Sequence, residues 1–301
     1  MSRGFGARLA AVPVFWLALA VMETSPGAAQ VVPAGPVVRL MYRSLQPGEP
    51  LIVFLENSNG ARWASVTFLG RTARLRPAPG GGRTFAFLGI DLGTKPGPQA
   101  LIVKVYRTDG TAEVVRKDVD IADKKFPFAK LQLKKEYVTP PASAQERIRR
   151  EAEMVALATG AVTPEWLGDG PFAPPHNAPS WPNFGQRRLN NAVLESVHAG
   201  LDLRVPFGER IRAANAGRVA IASDLYLGGK TVIIDHGLGV YSFYGHLSAL
   251  RVRRGEAVKK GATIGLCGST GRSTGPHLHW SFKVLETRVD PESMLRLPIE
   301  K

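Results

Sequence analysis

The residues best suited to chemistry gather in one stretch, Gly268-Ser269-Thr270-Gly271-Arg272-Ser273-Thr274-Gly275-Pro276-His277-Leu278-His279-Trp280. A glycine-shaped loop there runs into an alternating segment, with Leu278, Trp280 and Phe282 set against His279, Ser281 and Lys283. This pattern predicts a tight loop feeding a strand. Residues two apart on a strand share a face, so His277 and His279 point the same way with Cα atoms about 7 Å apart. Two imidazoles on one face either share a metal or divide the work, one binding it while the other moves protons. Two solvent-facing histidines on an edge strand are the plainer alternative.

Two further stretches carry the same residue types. In His198-Ala199-Gly200-Leu201-Asp202 the imidazole and the carboxylate are four residues apart. On a straight strand that is about 13 Å, too far for one metal, so the chain must bend, and Gly200 is the place for it. Tyr244-Gly245-His246-Leu247 ends an apolar run. His198, Asp202 and His279 together make a two-nitrogen, one-oxygen set that suits Zn²⁺ with a fourth position open for water. His246 and His277 then remain as proton handlers beside it.

In this order the motifs resemble the catalytic domain of the lysostaphin-like (M23-type, LytM-like) zinc metallopeptidases that cut peptidoglycan peptides. The matching residues are His198-x-Gly200-x-Asp202, Ile234-Asp235-His236-Gly237, Tyr244-x-His246-Leu247 and the Gly268–His279 run, within roughly 184–295. The resemblance implies one zinc ion per chain on His198, Asp202 and His279. It implies His246 and His277 as the catalytic pair, one a general base and the other an oxyanion stabiliser, without deciding which. His236 belongs to the Asp-His-Gly turn and is not expected to be a ligand. Arg187 or Arg188 is expected to meet anionic groups on the substrate, and Tyr226, Trp280 and Phe172 are expected in the groove wall, with core packing as the competing role. Some Gram-positive members carry a Tyr just upstream of the first His ligand, and Asn191–Glu195 offers none. A D-Ala to diamino acid cross-link is therefore expected rather than a glycine bridge. The partner is then the peptide stem of peptidoglycan. A non-catalytic activator of another wall hydrolase on the same fold is the alternative. Such members lose metal ligands, which this chain keeps.

The elements that must position these residues are mostly strands. From 31 to 122, Leu51–Leu55, Ala64–Leu69, Thr84–Ile90, Ala100–Tyr106 and Thr111–Ile121 read as strands, with Asp109-Gly110 as a hairpin turn. They predict an immunoglobulin-like β-sandwich with no histidine, a binding, positioning or covering module. From 123 to 182 the chain reads as a Pro-rich linker with one amphipathic helix at about 144–158, opened by the capping-box spacing Ser143-Ala144-Gln145-Glu146 and closed by Gly160. His176 lies in it as a solvated loop residue. From 183 to 301, strands at Gly217–Ala222, Thr231–Asp235, Gly239–Tyr244, Thr263–Cys267 and Leu278–Leu285 predict an antiparallel, barrel-sandwich-like sheet. Phe207–Ile211 echoes Arg254–Val258, which predicts two related hairpins. The Pro-rich 161–182 segment, or the sandwich, is expected to cover the groove at rest.

The address follows from the N-terminus. Arg3 and Arg8, the apolar run Leu9–Met22 and the small residues Gly27, Ala28 and Ala29 have the layout of a secretory signal peptide, residues 1–29, cleaved after Ala29. The run is shorter than the ~20 residues of a spanning helix, so no stable membrane span is expected after cleavage, and the periplasm or cell envelope is the expected location. No cysteine near the site offers a lipid anchor. The single cysteine, Cys267, excludes an intramolecular disulfide framework and a Cys-based zinc site, and its apolar neighbours predict a small buried hydrophobe. The net charge of +14, from 39 Lys and Arg against 25 Asp and Glu among 301 residues, favours anionic surroundings. No basic stripe with interleaved aromatics points to nucleic acid.

Overall fold

The computed structural model describes residues 35–299. The expected signal peptide lies outside the described residues. Among the described residues no helix is long and apolar enough to cross a membrane.

The N-terminal part contains β1 (Val37–Tyr42), β2 (Pro50–Glu56), β3 (Ala61–Phe68), β4 (Arg71–Arg74), β5 (Arg76–Pro77), β6 (Thr84–Gly89), β7 (Gly97–Arg107) and β8 (Ala112–Ile121). They form two antiparallel sheets, ordered β1-β2-β6-β5 and β4-β3-β7-β8. Alternation explains the packing between them. Leu51, Val53 and Leu55 of β2, with Ala86 and Leu88 of β6, meet Val66, Val103 and Val105 of the other sheet in one core.

The other face of β2 and β6 is apolar as well. Ile52, Phe54, Phe85 and Phe87 join a second, larger core with Val232, Trp280 and Phe282 of the C-terminal part. Burial on both faces accounts for the unbroken hydrophobic run Leu51–Leu55. A β-carbon on Gly89 would come within 2.8–2.9 Å of Thr287 and Val289, so glycine there lets the two parts touch. A buried ionic cluster ties the same seam. Glu49, fully buried, accepts from Arg43 Nε at 3.1 Å and Ser293 Oγ at 2.7 Å, and Arg43 Nη2 also reaches Asp290 Oδ2 at 2.7 Å.

The middle segment is more ordered than its composition implies. It holds β9 (Phe128–Leu131), α1 (Lys135–Val138) and α2 (Ala142–Gly160). α2 starts two residues before the expected helix, with Pro141 at the N-cap and no side-chain cap. Ser143 is thus inside the first turn and the capping box does not form. Pro140-Pro141 sets the start instead, and Gln145 Nε2 donates to the Pro140 carbonyl at 2.9 Å. Val155, Ala158 and Thr159 face inward, whereas Ala152 is exposed. The 161–182 stretch packs into the core through Trp166 and Phe172, with backbone bonds from Leu167 to His236 and from Ala173 to Ala214.

The C-terminal part comprises β10 (Arg187–Asn190), β11 (Leu194–Val197), β12 (Leu201–Leu203), β13 (Arg210–Arg212), β14 (Gly217–Leu225), β15 (Gly229–Asp235), β16 (Val240–Leu247), β17 (Ala249–Leu250), β18 (Ala257–Val258), β19 (Thr263–Leu266), β20 (Leu278–Val284), β21 (Thr287–Val289) and α3 (Pro291–Arg296). The large sheet runs β12-β20-β16-β15-β14-β18, with β21 also on β20, and is antiparallel throughout. A smaller sheet is ordered β13-β19-β17. The whole is mainly β. The echoed segments share one turn. Gly208 and Gly255 both have φ of 85°, and Glu209 and Glu256 donate back to Pro206 and Arg253, the pattern of a type II turn.

Candidate metal centre and cleft

One face of the large sheet is core and the other carries the chemistry. Leu278, Trp280 and Phe282 point into the core, and His279 points out with Ser281 and Lys283. β12 lies beside β20 with Asp202 directly opposite His279. His198 reaches the same point from the end of β11. His198 Nε2, Asp202 Oδ1 and His279 Nδ1 are 3.0–3.1 Å from one another. Gly200 has the role of a space rather than of a left-handed bend. A β-carbon there would lie 2.5 Å from His279 Cε1 and 2.7 Å from its Nε2.

His246 arrives by a different route. Gly245 pairs with His279, so simple alternation would turn His246 into the core. Between Lys230 and Val232 the register with β16 shifts, and His246 adopts a φ of 62°. The bulge redirects the side chain to the cleft face. A left-handed conformation in a side-chain-bearing residue is strained and is held here by its surroundings. The His246 and His277 rings lie 4.8 Å apart, and His277 Nε2 is 3.7 Å from Asp202 Oδ1.

Three of these histidines are fixed through Nδ1. His198 Nδ1 donates to the Asn183 carbonyl at 3.0 Å, His246 Nδ1 to Thr270 O at 2.8 Å and His277 Nδ1 to Gly275 O at 2.8 Å. These bonds leave Nε2 of all three facing the cleft. Asn183 was not singled out in the sequence, yet it holds two of the three clustered residues. Its Nδ2 donates to Asp202 Oδ2 at 2.9 Å and its Oδ1 accepts from the Asp202 backbone at 3.2 Å. Burial works against ionising Asp202, but hydrogen bonds and charge from His198 and His279 outweigh it and hold the carboxyl well below the usual range. Burial lowers His246 to about 3, helped by His279 and His277, and lowers His279 to about 4 despite its bond to Asp202.

The cleft around this cluster has a volume of about 690 Å³. Its far wall is β9, which adds in parallel to the β10–β11 hairpin and presents Ala129 and Leu131. Alternation separates the two neighbouring arginines. Arg188 faces the cleft and donates to Asp202 Oδ2 at 3.1 Å, while Arg187 faces away towards Glu195. Trp280 is 1% exposed and Phe172 5%, both in the core, so neither forms the groove wall. Their apolar bulk is used on the face opposite His279. Tyr226 packs on Tyr137 at 5.5 Å and donates to the Glu136 carbonyl, lining a neighbouring cavity instead. Trp181, 6.4 Å from the His277 ring, borders the cleft in their place.

The other polar groups are structural. His236 is fully buried between the Ala216 carbonyl and Ser242 Oγ, each at 2.7 Å, outside the cluster. His176 Nδ1 accepts from the Ala178 backbone within its own loop. Cys267 is buried, its thiol directed at the Val205 carbonyl and pushed up to about 11 by burial.

Residues 196–291 match Peptidase family M23. The C-terminal part of the chain is an M23 peptidase domain. It is similar to the peptidoglycan DD-endopeptidase ShyA of Vibrio cholerae, 38% identical over 103 residues, which span 34% of this chain and 24% of that protein. It is also similar to the DD-carboxypeptidase/endopeptidase Mpg of Neisseria meningitidis, 40% identical over 111 residues, 37% of this chain and 26% of that one. The chain thus spans about a quarter of the length of these curated relatives. A solved structure from Pseudomonas aeruginosa, named as a peptidase M23, matches more of this chain, with a TM-score of 0.64 at 28% identity over 84% of this chain and 95% of that one.

Proposed function

We propose that the protein is a zinc-dependent endopeptidase that hydrolyses peptide cross-links of bacterial peptidoglycan. The observation that carries this reading is the cluster of His198 Nε2, Asp202 Oδ1 and His279 Nδ1, all within 4.8 Å of one another, beside two further imidazoles in an open cleft. Ligand atoms of a tetrahedral zinc site with bonds of about 2.0–2.2 Å lie roughly 3.3 Å apart, which the 3.0–3.1 Å spacing approaches. A two-nitrogen, one-oxygen set also fits zinc better than a harder ion. His198, Asp202 and His279 would hold one ion per chain, which would supply Lewis acidity and an activated water at neutral pH.

The chain's own residues divide the remaining work. Nε2 of His246 and Nε2 of His277 flank the cluster, one taking a proton and the other donating a hydrogen bond where negative charge develops. Asn183 and Arg188 orient the Asp202 carboxylate through its outer oxygen. The sandwich at 31–122 supports the peptidase part at 183–301, with the 123–182 segment between them. The envelope is the proposed site of action, from the leader-like residues 1–29 and the anionic nature of the substrate.

The test is digestion of isolated peptidoglycan by the purified, zinc-loaded chain, read by mass spectrometry of the muropeptides. Loss of cross-linked species supports the reading. Zinc binding without cleavage, together with stimulation of a separate wall hydrolase, would support the activator reading instead.

A further inference from the structure

The cleft floor continues beyond the metal cluster to a second charged group. The face of β20 that carries His279 runs through Ser281 to Lys283, and β21 sets Arg288 directly opposite Lys283. The Arg288 guanidinium lies over the Phe243 ring, 4.6 Å from its centroid. Phe243 pairs with Ser281 and Gly245 with His279, so the guanidinium is stacked one same-face position from the cluster, about 7 Å along the strand. Arg288 lines the same cleft.

Its surroundings do not account for its charge. Among the described residues the Arg288 guanidinium has no hydrogen-bond or ion-pair partner, and burial alone pulls its pKa below the ordinary value. The residue across the ladder is another cation, and like charges in opposed positions destabilise a sheet. Lys283 is itself lowered, mainly by burial, with Arg288 and Arg71 adding to the effect against Glu286. Arg188, by contrast, is occupied by Asp202. A partly buried guanidinium held over an aromatic ring with its donors free is pre-organised for a planar anion.

We propose that Arg288 is a carboxylate-binding residue of the cleft, taking a free carboxylate of the substrate peptide adjacent to the scissile bond. This rests on the peptidase reading and deepens it. A cross-link from D-Ala to diaminopimelate leaves such a carboxylate on the carbon that bears the scissile nitrogen, and an internal glycine bridge leaves none. Arg288 thus selects anionic cross-links over oligoglycine.

The experiment uses the zinc-loaded full chain and two synthetic peptides. One is a D-alanyl-diaminopimelate cross-link mimic with the carboxylate free, and the other is its carboxamide. Wild type is expected to cleave the carboxylate form with kcat/KM about tenfold or more above the amide, the scale of a charge-assisted bond. In Arg288→Ala the ratio falls to within about twofold, and Arg288→Lys is intermediate. Melting temperature and zinc content verify that each variant is folded and loaded. Binding of both peptides to the metal-free chain provides the second readout. Carboxylate-dependent binding lost in Arg288→Ala upholds the subsite even if no peptide is cut, in which case the peptidase reading alone falls. A carboxylate-to-amide ratio equal in wild type and Arg288→Ala, in cleavage and in binding, overturns the proposal.

Discussion

Asn183 and His198 are joined by a 3.0 Å bond from the imidazole Nδ1 to the backbone carbonyl, while the Asn183 side chain grips Asp202. A single residue thereby sets the tautomer of one proposed ligand and the orientation of another. Asn183→Ala keeps the carbonyl but removes the grip on the carboxylate. It is expected to weaken zinc binding by about 10- to 100-fold, measured by competition with a chelator of known affinity. Unchanged affinity would remove Asn183 from the metal site.

The pair His246 and His277 should separate catalysis from metal binding. Replacing either with Ala is expected to lower kcat by about 10²–10⁴-fold with one zinc per chain retained. Metal content by elemental analysis, measured on the same samples as activity, checks this. Loss of zinc in step with activity would make that residue a ligand instead.

Gly200 admits the His279 ring, with no room for a β-carbon at 2.5–2.7 Å. Gly200→Ala is expected to displace His279 and weaken zinc binding, with little change in the melting temperature of the metal-free chain. A variant with wild-type zinc affinity would show that the ring has freedom to move.

The seam between the sandwich and the peptidase part has its own signature. Glu49 is buried; its burial opposes ionisation, but bonds from Arg43 and Ser293 and the charges of Arg43 and Lys124 hold its carboxyl below the ordinary value of 4.5. A carboxyl lowered in the folded state stabilises the fold above its unfolded pKa, and the effect is lost as pH falls through the folded value. Glu49→Gln is expected to be destabilised at neutral pH by about 3–5 kcal/mol, as for a broken buried pair. The gap to wild type should narrow below about pH 4.5. Denaturant unfolding at several pH values reads this, and a gap independent of pH would contradict it.

Much of the site was legible because its residues are of unusual type at fixed spacing. His198, Asp202 and His279 could be grouped from the chain alone, and the core strands followed from the unbroken apolar run Leu51–Leu55 and from alternation at Leu278–Leu285. What the sequence hid depends on long-range geometry. The role of Asn183 requires knowing that residue 183 lies beside residues 198 and 202 in space. His246 faces the cleft only because a bulge overrides alternation. Trp280 was misplaced for the opposite reason, since alternation from His279 already assigns it to the core. β9 lies in a segment read as linker, and it was missed because its partner, β10, is more than fifty residues further along the chain.

The most direct measurement is the muropeptide profile of peptidoglycan treated with the purified chain, zinc-loaded and then chelated, beside His279→Ala. The zinc-loaded chain should convert cross-linked dimers to monomers, with the activity abolished by chelation, restored by zinc and absent in the variant. An unchanged cross-linked fraction from a chain carrying one zinc, or full cleavage by His279→Ala, would contradict the account.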